Sequence, residues 1–73
     1  MTRPIQLLDV VALTEDIPGR NLERGQVGTI VECLDGSHFE VEFSDNHGRT
    51  YAQLAVPADK LMVLHHQPVP VAS

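Results

Sequence analysis

Apolar and polar residues alternate with a period of two around residue 41: Phe39, Val41 and Phe43 fall on one face, His38, Glu40 and Glu42 on the other. That alternation predicts a half-buried strand with its phenylalanines in the core. The same period over residues 50–56 sends Ala52, Leu54 and Val56 inward and leaves Tyr51 and Gln53 outside. Residues 27–34 supply the β-forming side chains Val27, Thr29, Ile30, Val31 and Cys33 and predict another strand. There Ile30 and Val31 are adjacent and both apolar, so alternation fails, as it does in a strongly bent strand covered on both sides. Short β-branched or aliphatic runs at residues 9–13 and 61–64 predict a first and a closing strand.

Turn chemistry joins these strands. Asp35-Gly36 marks a hairpin, and the polar residues 44–49 a second turn. Pro57-Ala58-Asp59-Lys60 is too short for an α-helix and predicts a single 3₁₀ turn. Residues 14–26 hold Pro18-Gly19 and Arg24-Gly25 with only Ile17 and Leu22 as apolar anchors, which predicts a long ordered loop across one mouth of the domain. Gly25 suits a turn with positive φ, and Gly28 a bend or a close backbone approach. The sum is an all-β fold: a small SH3-like barrel of about five antiparallel strands, with the long loop after strand one and the 3₁₀ turn before the last. Residues 1–8 read as a lead-in, 9–64 as the barrel, and 65–73, which contain Pro68 and Pro70, as a flexible tail.

Four runs carry a family likeness. Asp9-Val10-Val11-Ala12-Leu13-Thr14-Glu15-Asp16-Ile17-Pro18, Arg24-Gly25-Gln26-Val27-Gly28-Thr29-Ile30-Val31-Glu32, Glu40-Val41-Glu42-Phe43 and Pro57-Ala58-Asp59-Lys60-Leu61 stand in that order. Together they resemble a family of small uncharacterised bacterial proteins, common in cyanobacteria, that carries a domain-of-unknown-function label. The resemblance spans residues 8–64 and implies the same barrel, and it brings no catalytic residue or cofactor with it. Genes of such proteins beside nuclease-like toxin genes imply an antitoxin or immunity role.

Length and charge narrow the field. A single domain of 73 residues buries only about 60% of the surface its unfolded chain exposes, so its core is small. Cys33 is the one cysteine, which excludes an intrachain disulfide and leaves oligomerisation as the remaining staple for a small core. No apolar run approaches the roughly 18 residues of a membrane span. The N-terminal residues lack the apolar stretch and cleavage site of a secretory signal, so a reducing cytoplasm is expected. A net charge of −5 repels phosphate backbones.

Candidate chemistry is sparse. Cys33 has no histidine at a spacing that would activate it and is expected to act as a small buried hydrophobe. Glu15-Asp16 and Glu40 with Glu42 read as solvated carboxylates rather than an acid and base pair. His65 and His66 are adjacent and point opposite ways in an extended chain, so a metal site would need His38, His47 or another subunit's carboxylate. Gly25-Gln26-Val27-Gly28 lacks the spacing and lysine of a phosphate loop. With no tryptophan and Tyr51 as the one tyrosine, a proline-binding groove has no lining. Arg20, Arg24 and Arg49 sit among Glu15, Asp16, Glu23 and Asp45 without a stacking platform, which speaks against RNA.

The sequence thus predicts no enzyme, no cofactor and no metal, but a non-catalytic module that binds a partner protein as an antitoxin, immunity protein or accessory subunit. Its expected binding residues are Glu15, Asp16, Arg20 and Arg24 of the long loop, with Arg49, Tyr51 and Gln53 beside it. A self-associating structural protein (a homo-oligomer) and an RNA-binding SH3-like module stay open as alternatives.

Overall fold

A computed structural model of the chain describes residues 4–65. Five strands, β1 (Val10–Leu13), β2 (Val27–Cys33), β3 (His38–Ser44), β4 (Thr50–Pro57) and β5 (Leu61–Val63), form one antiparallel sheet in the order β4-β3-β2-β1-β5. These are the strands the sequence predicts, with ends shifted by at most a residue. The 3₁₀ turn at Ala58–Lys60 falls where the sequence puts it. A second one, at Pro18–Arg20, lies inside the loop and was not foreseen. Pro18 supplies a fixed φ at its start, and Asn21, in the left-handed region at φ 56°, ends it by donating its N–H to the Pro18 carbonyl at 3.2 Å. Residues 1–3 of the lead-in, and the tail beyond His65, lie outside the described residues.

Connectivity forces the sheet to curl. β4 and β5 occupy opposite edges, which in a flat sheet would stand roughly 19 Å apart at about 4.8 Å per strand. Yet only the three residues Ala58–Lys60 join them, and four Cα steps span at most about 14 Å. The strands therefore wrap round a common interior in a barrel-like form. Val11, Leu13, Ile30, Val41, Phe43 and Val56 are almost wholly inaccessible there, and Leu22 closes the core from the loop. Ile17, bridged to Leu22, packs on the same cluster, so the two apolar anchors do pin the loop. Among the described residues no helix is long and apolar enough to cross a membrane.

Two irregularities bend the ladder. The β2–β3 register shifts between Ile30 and Glu32, so Val31 is the extra residue where alternation failed. The β3–β4 register shifts between Phe43 and Ser44, which makes Tyr51 the extra residue of β4. Gly28 faces Phe43 across the first pair, and a Cβ there would lie 2.6 Å from Val41 Cγ1 and 2.9 Å from the Glu42 carbonyl oxygen. It is a glycine because the strands meet too closely for anything larger. The expectation that Cys33 is buried is corrected: after the Val31 bulge the end of β2 is exposed at Glu32 and Cys33, as is Leu34 beyond it, although Cys33 pairs with the core residue Phe39.

Candidate functional site

The long loop is held by its own polar groups. Gly25, at φ 92°, turns the chain and donates its N–H to the Leu13 carbonyl at 2.8 Å, so the loop leaves β1 and returns beside it. Asp16 Oδ1 accepts the Arg24 N–H at 2.8 Å, bracing the two limbs. Glu15 reaches Lys60 Nζ at 3.7 Å, and the Thr14 N–H donates to the Lys60 carbonyl at 2.9 Å, tying the outgoing limb to the 3₁₀ turn at Ala58–Lys60. Two of the predicted binding residues, Glu15 and Asp16, are thus framework groups of the loop. Arg20 and Arg24 are exposed on it.

Gln26 joins this loop to β4. Its Oε1 accepts the Glu23 N–H, and its Nε2 donates to the Tyr51 hydroxyl at 3.0 Å. The Tyr51 ring lies 6.3 Å from that of Phe43, tilted by 43°. Phe43 faces the interior, so the bulge has brought the Tyr51 ring to the Phe43 side, where regular alternation would send it to the other. The ring nonetheless stays 48% exposed, with an apolar flank in contact with protein and a hydroxyl at the loop. Arg49, just before β4, is exposed and fixed through its backbone, whose N–H donates to Asp45 Oδ1 at 3.0 Å.

The predicted binding residues therefore divide. Arg20, Arg24, Tyr51 and, through its turn, Arg49 frame the loop side of the sheet, while Gln53 belongs to the outer face. There its Nε2 donates to Glu40 Oε2 at 3.3 Å, and Thr29, Glu42 and Gln53 stand in one cross-strand row. Gln26 was missed. No local pattern marks it, because its partner lies 25 residues away and reaches it only through the β4 bulge.

Among the described residues one titrating group departs from its ordinary value. Asp35, in the β2–β3 turn, is held below the usual carboxylate range, first by the backbone N–H of Ser37, then by the Ser37 hydroxyl, and also by the side chain and backbone of His38. The Ser37 and His38 N–H groups donate to its Oδ1 at 2.7 and 2.9 Å. This is a turn-stabilising network on an exposed carboxylate. Among the described residues no three histidine, cysteine, aspartate or glutamate side chains gather into a group that could hold a metal ion. His65 is exposed, and His66, its predicted companion, lies outside the described residues.

The fold and site define a small single-sheet β domain, curled on its core, with a braced polar loop and one half-exposed tyrosine at the loop's end. Residues 7–63 match the family described as Domain of unknown function (DUF4926), and the chain belongs to that family. Comparison with curated proteins and with solved structures finds no match.

Proposed function

We propose that this chain is a non-catalytic interaction module of SH3-like form that binds a partner protein with the loop of residues 14–26 and Tyr51. The observation that carries the reading is the Gln26–Tyr51 hydrogen bond at 3.0 Å, which makes the loop and the tyrosine one surface. Tyrosine and arginine are favoured interface anchors because each combines apolar area with directional polar groups. Here Tyr51 is held by Phe43 and Gln26, so little side-chain freedom is lost when a partner covers it. Arg20 and Arg24 stand on a loop that also carries Glu15, Asp16 and Glu23, a surface of mixed charge that suits a partner presenting charges of both signs. The setting we propose is a bacterial cytoplasm, with the partner a toxin that this chain neutralises or a larger enzyme that it serves as a subunit.

The test is capture from the native cells with wild-type bait and with bait carrying Arg20→Glu and Arg24→Glu. The second bait keeps the backbone bond from Arg24 to Asp16 and should melt with the wild type. One protein retained in stoichiometric amount by the wild type and lost by the double variant is expected. Recovery of no stoichiometric protein, or equal recovery on both baits, overturns the reading.

A further inference from the structure

β4 is the long open edge of the sheet. Its eight residues, Thr50–Pro57, pair with β3 on one side, and among the described residues no strand pairs with the other. The side of the strand to which each backbone group points follows from the register. Ala58 donates its N–H to the Ser37 carbonyl at 2.8 Å, and the pairing continues through Pro57 with His38 and Val56 with Phe39. Hydrogen-bonded and non-bonded pairs alternate along an antiparallel ladder. Val56 and Leu54 therefore turn their backbone groups to β3, while Gln53 and Ala55 turn theirs away from the sheet. Pro57, which has no N–H to offer, falls in the outward set, as a proline in an edge strand must.

Edge strands are blunted by charge, by proline or by a bulge, and β4 has Pro57 at its end and the Tyr51 bulge near its start but no charge along the stretch between. All the residues from Thr50 to Pro57 are uncharged, on a chain of net charge −5. The flanking charges are Arg49 before the strand and, after it, Asp59 and Lys60, the lysine paired with Glu15 at 3.7 Å. A second copy laid antiparallel along β4 needs its outward-facing residues opposite outward-facing residues. A two-fold axis beside Leu54 achieves this, setting Gln53 opposite the partner's Ala55 and Ala55 opposite the partner's Gln53. Of the two neighbouring registers, Gln53 on the axis offers one reciprocal pair, because the Tyr51 bulge interrupts the next, and Ala55 on the axis sets Gln53 opposite Pro57, which has no N–H to return. In the Leu54 register the chain directions also bring Arg49 to the end that carries the partner's Asp59. The uncharged strand lets two acidic copies approach, and the opposite charges at its ends set the register.

We propose that two copies of this chain pair through β4 in that register, so that the two sheets join into one ten-stranded sheet. This goes beyond the loop surface and does not depend on it. The test combines mass in solution with amide exchange on the full chain. Sedimentation should move from 8.0 kDa toward twice that mass as concentration rises, and the Gln53 and Ala55 amides should become protected over the same range. Ala55→Lys places a charge at the seam on an exposed side chain and should return the protein to monomer. Free exchange at Gln53 and Ala55 at every concentration, or a dimer that survives Ala55→Lys, overturns the proposal. So does a chain that stays monomeric alone and gains that protection only when an extended peptide is added. The exchange result stands on the wild type even if the variant fails to fold.

Discussion

Substituting Gly28 by alanine tests the packing logic of the fold. The added Cβ would sit 2.6 Å from Val41 Cγ1, 2.9 Å from the Glu42 carbonyl oxygen and 3.1 Å from Phe43 Cδ2. A side chain at a surface can swing away, but Val41 and Phe43 are wholly inaccessible and the Glu42 carbonyl belongs to the paired strand. The relief must come from shifting β2 against β3, the long pairing that carries both phenylalanines. Overpacking of this kind costs about 1–3 kcal/mol, against a total stability on the order of 4–11 kcal/mol for a chain this long. At about 4–8 °C per kcal/mol for a domain of this size, the melting temperature should fall by roughly 4–24 °C. Gly36→Ala is the matched control, since a Cβ there meets nothing within 4 Å. Thermal unfolding followed by circular dichroism reads both. A Gly28→Ala protein that melts with the wild type would refute the reasoning, because the strands would then have slack that the structure denies them.

Three smaller effects follow from the surface. Glu32 and Glu40 stand directly opposite each other in the β2–β3 register, and like charges so placed repel. Glu32→Gln should raise stability by about 0.2–1 kcal/mol in urea titration, with a gain that shrinks as salt is added. Lys60→Ala removes an exposed ion pair to Glu15 at 3.7 Å and should change stability by less than about 1 kcal/mol; a larger loss would mean the loop hangs on that contact rather than on its backbone bonds. Asp35 gives a pH dependence. Its carboxyl is lower in the folded chain than in the unfolded one, so folding favours the ionised form. That stabilisation is whole above the unfolded value near 3.9 and is lost as pH falls through the folded value. Acid unfolding of Asp35→Asn should therefore be shallower below about pH 4, and equal slopes for the two proteins would contradict the turn network.

Most of the architecture was legible because it rests on short-range signals. Alternation in β3 and β4, the Asp35-Gly36 turn and Gly25 each act on near neighbours, and each holds in the structure. Even the broken alternation at Ile30 and Val31 marked the bulge. What the sequence hid depends on distant partners. The bulge at Tyr51 has no adjacent apolar pair to announce it, so alternation predicts the exposure of the ring, which holds, but not its approach to Phe43. Gln26 drew no notice for the same reason. The contacts of Glu15 and Asp16 with Lys60 and the Arg24 backbone are equally hidden in the sequence, because these partners come close only when the loop closes. Cys33 reads as a core residue because strand cysteines usually are, whereas the end of β2 after the Val31 bulge leaves it exposed.

The central claim is that recognition belongs to the braced loop and Tyr51. Amide exchange of the chain alone and in complex with the protein it captures measures this directly. The account predicts added protection at residues 15–24 and around Arg49 and Tyr51, with the outer row of Thr29, Glu42 and Gln53 unchanged. Protection centred on that outer row, with the loop exchanging as in the free chain, would contradict it.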